Sequence, residues 1–426
     1  MAAGPTVVVR SRGTRMVAAL GEGSFRAYLA GILFAFLPMQ MQQVAQGYLA
    51  YTLTESATAL GLVQLAWGVP QLGLTLFAGV LADRYERRRI IAVSQGLLGL
   101  CTATIAVLVH SGAIQYWQLV VLAFLQGSIF AFNVPARQGM LPLVVSEQNL
   151  ANAVALNNSG VNLTRVLGPG LAGVLIAVPL VGVAGVYDMM AASYFTAAFL
   201  VGRLAPGRTA LRPAPESVLG AIAGGFRFIR RSPVLPTLIG LAFVPILLGM
   251  PYQTLMPVFA LQVMDVGSPG LGTLMMLAGL GALGGSLTVA AFADYPRKAR
   301  LQLVAVVAFG LLLFVFAISH NFVIALVLMP FIGGMQNVYM ALNSTLLMTH
   351  TDRQYLGRVM GVYMVTWSMT PVTTLPIAAA ADHVGAPAVV ATLGLAVALL
   401  IGLANPRYRL AADRPATLTV PTGETR

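Results

Sequence analysis

The chain has 426 residues, of which 58% are apolar and only 9% are charged, and its formal net charge is +12. A soluble domain needs roughly a quarter of its residues charged to solvate its surface, so a soluble enzyme or soluble binding module is excluded and most of the surface must face lipid. A charge of +12 in a soluble protein would point to nucleic acid, but the arginines of this chain follow a different logic.

A bilayer core about 30 Å thick takes about 20 apolar residues per helix. Twelve such runs are predicted, at 27–53, 58–81, 90–109, 117–134, 150–177, 181–203, 234–263, 270–293, 301–319, 322–348, 357–381 and 386–404. Inside lipid each backbone polar group must be satisfied within its own segment, so the expected class is an all-α membrane protein of twelve transmembrane helices. Residues 1–26 hold Arg10, Arg12 and Arg15 and no apolar stretch long enough for a cleaved signal, so the first run is read as a retained helix. The single cysteine, Cys101, lies in an apolar run, which removes a disulfide framework and a CxxC metal site.

Orientation is read from arginine. With the N-terminus inside, the even loops hold Arg84 and Arg87–Arg89, Arg137, Arg208, Arg212, Arg227, Arg230 and Arg231, then Arg297, Lys298, Arg300 and Arg353. Arg407, Arg409, Arg414 and Arg426 follow in the tail, while the odd loops hold no Lys or Arg. This is the positive-inside pattern, and it places both termini in the cytoplasm of a cell with an inner membrane. The expected domains are a cytoplasmic tail 1–26, a six-helix bundle 27–203, a linker 204–233, a second bundle 234–404 and a tail 405–426. The linker is rich in Pro and Arg and turns amphipathic over 218–231, which predicts a part lying on the membrane surface.

The halves repeat. At one ungapped offset of 211 residues, Leu60-Gly61 meets Leu271-Gly272, Ala82-Asp83 meets Ala293-Asp294, Gln42 meets Gln253, Arg87 meets Lys298 and Arg89 meets Arg300. Several of these matches fall on polar residues, where chance agreement in apolar sequence is rarest. Two six-helix bundles in parallel repeat are therefore expected.

After the second run comes Gly79-Val80-Leu81-Ala82-Asp83-Arg84-Tyr85-Glu86-Arg87-Arg88-Arg89. Glycine lets two helices approach closely, and Asp83 can accept bonds from a neighbouring helix N-terminus. The arginines, Arg84, Arg87 and Arg88 among them, can pair with acids of an adjoining loop. Such a cluster can hold one side shut in one state and release it in another. Membrane anchoring alone would explain the arginines but not Gly79 or Asp83. The segment resembles the major facilitator signature G-x-L-A-D-R-x-G-R-R, departing from it at Glu86. With Asn133-Val134-Pro135-Ala136-Arg137-Gln138 and Leu150-Ala151-Asn152-Ala153, it resembles the drug:proton antiporter branch that includes macrolide efflux proteins and the enterobactin exporter. The resemblance runs from the first predicted span to the eleventh. It implies the major facilitator fold, alternating access, and a substrate site at midplane between the halves. The second-half counterpart, Asp294-Tyr295-Pro296-Arg297-Lys298, is degenerate.

Gly168-Pro169-x-x-x-Gly173 in the fifth span resembles the antiporter motif of drug exporters; ordinary close packing of helices is the plainer reading. Arg165 is the only basic residue near the middle of a span, so it needs a partner or a watery cavity. Asp188, in the sixth span, is the only carboxylate well inside one. The two are candidates for coupling, or for a plain buried pair. Asn158, Asn162 and Arg165 form one polar stripe at i, i+4 and i+7.

The candidate cavity set adds Gln42, Gln46, Gln64 and Trp67, then Tyr252, Gln253, Gln336, Asn337, Tyr363 and Trp367. Any one of these has interhelical bonding as its bland explanation. Together, a wide, weakly charged, aromatic cavity suits bulky amphiphiles better than sugars or small ions. There is no Walker loop and no nucleophile or metal-ligand spacing, so neither enzyme activity nor a cofactor or metal is expected. The expected protein is a monomeric exporter of a hydrophobic or amphiphilic small molecule, drug-like or a siderophore, driven by protons and in contact with membrane lipid. An importer or lipid flippase on the same fold is the alternative.

Overall fold

The computed structural model describes residues 18–204, 226–230, 232, 235–292, 295–352 and 355–412, and leaves the side chains of 18, 75–84, 138, 368 and 404–412 undescribed. The amphipathic part of the expected linker over 218–225, and the tail beyond 412, lie outside the described residues. The long helices are α1 (Gly23–Thr54), α2 (Ala57–Arg84), α3 (Arg87–His110), α4 (Tyr116–Met140), α5 (Leu150–Ala177) and α6 (Gly182–Gly202). After the undescribed stretch come α7 (Leu235–Val244), α8 (Tyr252–Val258), α9 (Gly267–Ala291), α10 (Lys298–Ser319), α11 (Phe322–Thr349), α12 (Leu356–Ser368), α13 (Thr370–Val384) and α14 (Ala386–Ala412).

These helices make twelve segments, because two of the predicted spans are broken helices. One is α7 and α8 with their flanking π-helical turns, Pro245–Gly249 and Phe259–Val263. Pro245, Pro251 and Pro257 each lack an N–H, and the chain widens its turn to re-satisfy the freed carbonyls. The other is α12 and α13, which meet at Met369 just before Pro371. Among the described residues, nine helical stretches are each long and apolar enough to cross a membrane. The glutamines of α1, Gln40, Gln42, Gln43 and Gln46, dilute its hydropathy without interrupting the helix.

The chain divides into two compact units. The first comprises Met1–Ala45 with Gly73–Pro213, and the second comprises Gln46–Leu72 with Ala214–Arg426. In the first, α3 packs along α6 and α4; in the second, α10 packs along α14 and α11. The 211-residue repeat is visible here: Arg87 opens α3 and Lys298 opens α10. The core of the first unit near the start of α1 gathers Phe25, Tyr28, Ile32, Ile91, Met140 and Val201. Glu22 ties that end together. It accepts from the Ser146 backbone N–H at 3.0 Å, the Ser146 hydroxyl at 2.8 Å and the Asn149 amide at 2.8 Å. The bonds from Asn149 and Ser146 hold its carboxyl below the ordinary glutamate value.

In the second unit, glycines bring backbones together. A Cβ on Gly61 would stand 2.8 Å from Ala378 Cβ, and one on Gly68 would stand 2.2 Å from Pro371 Cγ. Between α9 and α11 the approach is closer: a Cβ on Gly281 would lie 1.8 Å from the Pro330 carbonyl oxygen, and one on Gly333 would lie 1.9 Å from that of Ala278. Without a hydrophobic drive between helices in lipid, such close van der Waals contact is what associates them.

Candidate functional site

The arginine-rich segment is anchored where its side chains are described. Arg87 donates from Nη1 to the Gly139 carbonyl at 2.6 Å, and a Cβ on residue 139 would stand 2.1 Å from that guanidinium, so a larger residue there would displace it. Arg88 donates to the Leu204 carbonyl and pairs through Nε with Glu86 at 2.9 Å, while Arg89 pairs with Glu86 at 2.8 Å. Glu86, standing where the family signature has glycine, therefore shares its carboxylate between two arginines. Gly79, Asp83 and Arg84 fall at the end of α2, outside the residues whose side chains are described.

Gly168 is where α5 crosses α1. A Cβ on it would stand 2.6 Å from Gln40 Cβ and 3.2 Å from the Met41 nitrogen. Pro169 and Gly173 are buried beside it. The plain buried pair of Arg165 with Asp188, one of the two readings offered for them, does not form. Asp188 instead meets His110 Nε2 at 2.8 Å, a hydrogen bond when the imidazole is neutral and an ion pair when it is protonated. The reason is depth. Arg165 lies twelve residues before Ala177 at the end of α5, and Asp188 lies six after Gly182 at the start of α6. At 1.5 Å per residue these are about 18 Å and about 9 Å from that end, and His110 closes α3 at the shallower level.

Arg165 is exposed, as is Asn158, with Asn162 half-buried between them on α5. Arg165 makes no hydrogen bond or ion pair with any described residue. The other arginine of this unit's interior behaves differently. Arg137 is 9% exposed, with its guanidinium over the Phe36 ring at 4.1 Å and the Phe130 ring at 5.9 Å. Aromatic faces substitute for a carboxylate. Reading Arg137 as a loop charge missed this; Phe130 at i−7 on the same helix was the available signal.

The remaining cavity candidates differ in burial and in their partners. Gln42 is buried and donates to Gln126 Oε1 at 2.7 Å, and Gln126 donates in turn to Thr102 Oγ1 at 3.3 Å. Tyr252 is buried between the two π-helical turns, with its hydroxyl 3.4 Å from Gln336 Oε1. Gln336 also reaches Met250 Sδ at 2.7 Å, and Asn337 accepts from the Ser286 hydroxyl at 3.0 Å. Tyr363 is buried; Gln46, Gln64, Trp67 and Trp367 are half-buried; and Gln253 is exposed. A groove of about 660 Å³ between α3 and α4, lined by Glu86, Arg89, Val93, Leu97 and Phe132, includes none of these candidates.

Residues 14–415 match the profile of a family described as Transmembrane secretion effector. The chain is 30% identical to the enterobactin exporter EntS of Citrobacter koseri, across 78% of this chain and 77% of that one. It is 25% identical to the staphyloferrin A transporter of Staphylococcus aureus, across 84% and 89%. It is 29% identical to the multidrug efflux pump Tap of Mycolicibacterium fortuitum, across 83% and 88%. Among solved structures, the nucleoside transporter NupG superposes with a TM-score of 0.72 at 10% identity, covering 91% of this chain and 99% of that one. That likeness shows the fold alone.

Proposed function

The chain belongs to the transmembrane secretion effector family of major facilitator efflux transporters, and we propose that it exports a bulky amphiphilic small molecule by alternating access, driven by inward proton flow. The observation that supports this is the stripe Asn158, Asn162 and Arg165, whose cation has no partner among the described residues although it lies inside a membrane helix. An arginine facing lipid at such depth is costly, so the stripe faces water and substrate. Gln253, exposed, and Trp367, half-buried, are the proposed neutral amide and aromatic surface of the second unit, while Tyr252, Gln336 and Tyr363 are buried behind the surface. Asp188, with His110, is the proposed proton-carrying site, since no other acid of the chain lies well inside a span. The compounds named for the relatives, enterobactin, staphyloferrin A and multiple drugs, make a siderophore or drug-like cargo the first choice. The Gly79–Arg88 segment is proposed as the gate, and both termini are proposed to be cytoplasmic.

Accumulation in inverted vesicles tests the export reading directly, using a panel of amphiphiles with and without an imposed pH gradient. Accumulation that appears with the gradient and vanishes with a protonophore is expected. Gradient-independent distribution of every compound would overturn the reading. A reporter active only in the cytoplasm should work after Arg426 and within 208–215 and fail near His320; activity at His320 would overturn the topology.

A further inference from the structure

We infer that the substrate is an anion, held through its carboxylate, phenolate or sulfonate oxygens by the guanidinium of Arg165 with Asn162 and Asn158 beside it. The inference rests on the export reading and names the charge of its cargo.

Three observations on the first unit converge. One is the face on which Arg165 stands. At about 100° per residue, Asn158, Asn162 and Arg165 fall within about 60° of one another on α5. Leu163, Leu167, Leu171 and Val174 lie roughly opposite, and all four are also exposed, at 42–54%. A helix with two open faces, one wholly apolar and one polar, has separate surroundings on its two sides. The apolar stripe meets hydrocarbon, and the cation therefore lies on the side that admits water and solutes.

The second observation is charge balance. Of thirteen Asp and Glu residues, Asp188 alone falls well inside a span, and its oxygen is engaged by His110. No described carboxylate neutralises Arg165. The third is that this protein shelters an interior arginine elsewhere with no acid paired to it among the described residues, by placing Arg137 against the Phe36 and Phe130 rings. No ring stacks on Arg165 among the described residues. Its open fork is shaped to receive planar oxygens in pairs, with neighbouring amides able to donate to the same anion. A cationic amphiphile would meet a like charge there in a medium of reduced dielectric, which costs affinity.

The test uses the full chain in nanodiscs of uncharged phosphatidylcholine and three probes of one shape: 1-pyrenebutyrate, its methyl ester and its trimethylammonium counterpart. Equilibrium binding is read by pyrene fluorescence. Wild type should bind the carboxylate at least about tenfold more tightly than the ester, the scale of one charge-assisted bond, and bind the cation most weakly. Arg165→Gln should erase that order at unchanged melting temperature, and Arg165→Lys should keep most of it. Equal or tighter binding of the cation, an order that survives in Arg165→Gln, or binding of none of the probes would overturn the inference. If Arg165→Gln does not fold, the wild-type order and the Arg165→Lys result still decide. Accumulation assays on the same probes separate the two readings. Proton-driven accumulation of the ester or cation but not the carboxylate would leave export standing and remove the anion. Carboxylate-selective binding with no driven accumulation would do the reverse.

Discussion

Gln42 and Gln253 occupy matching places in the repeat, yet one is buried against Gln126 and the other is exposed between two π-helical turns. That difference extends through the two units. The second adds, to side-chain contacts such as Gly68 on Pro371, seams of direct backbone approach: Gly281 on Pro330, Gly333 on Ala278, and Gly310 on Gly394, where a Cβ would lie 2.5 Å from a carbonyl oxygen. The first is joined largely through side chains: Gly31 faces Val201, Gly99 faces the Phe195 ring, Gly160 faces Leu33, and among these only Gly168 comes within 3.4 Å of backbone. Side-chain seams can hold interior charge, because an arginine can find rings or leave its head in a cavity. Backbone seams leave no room for a cation, and the second unit has none in mid-span. A repeated fold has thus been divided between one unit built for close packing and one that carries charge.

Gly281→Val strikes the closest seam and should have the largest effect. The obstructing atom is a main-chain oxygen that cannot swing aside, so overpacking should cost more than about 3 kcal/mol. Folded protein recovered from membranes should fall sharply. Gly96→Ala in the first unit, where a Cβ meets nothing within 4 Å, should gain roughly 0.5–1 kcal/mol from helix propensity. Equal melting temperatures for the two variants would break the contrast between the seams.

Next in size is Arg137. Removing its stacked cation with Arg137→Gln should cost about 2 kcal/mol in this desolvated site, read as a lower melting temperature. Arg137→Lys should recover only part, because an ammonium does not stack as a guanidinium does. A silent Arg137→Gln would show that the rings do not hold the charge.

The amide pairs should cost less and be similar in both units. Gln126→Leu removes the 2.7 Å bond from Gln42, and Asn343→Leu removes the 2.7 Å bond from Gln302. Membrane hydrogen bonds average about 0.6 kcal/mol in double-mutant cycles. Cycles on both pairs should return about that coupling, and a tenfold difference between them would overturn the view that the units share polar pairing and differ in seams.

Of similar size is the cap on α2 within the second unit. Asp382 accepts from the Ala57 N–H at 2.6 Å, the Thr58 N–H at 2.8 Å and the Ser56 hydroxyl at 2.7 Å. Partial burial raises its pKa, but the bonds from Thr58, Ser56 and Ala57 outweigh it and hold the carboxyl below its ordinary value of 3.8. A depressed folded value means that its stabilisation is present above the ordinary value and is lost as pH falls through the depressed one. Asp382→Asn should cost roughly 0.5–1 kcal/mol at neutral pH, and the gap from wild type should close below about pH 4. A gap that widens in acid would reverse the assignment.

Most of the architecture could be read without coordinates. Twenty-residue apolar runs in lipid can only be helices, so the twelve segments followed from hydropathy and length. The repeat was legible at Arg87 and Lys298 because a helix entering the membrane keeps its first cation in water. The breaks at Pro245–Gly249 and Met369 were less visible, since proline in a membrane helix produces a kink, a π turn or nothing, according to what its neighbours can donate.

The candidate site shows the limit more sharply. Composition named Arg165, Asp188, Gln42 and Tyr252 as residues that could not be left to lipid, because an unsatisfied polar group there is expensive whatever the fold. It could not say who satisfies whom. Asp188 belongs to His110, Gln42 to Gln126 and Arg137 to Phe36, while Arg165 has no partner among the described residues. Partnership depends on relative depth and on which helix faces meet, and both are set by packing between segments far apart in sequence. The cost of a buried charge is a property of the residue, whereas its partner is a property of the tertiary structure.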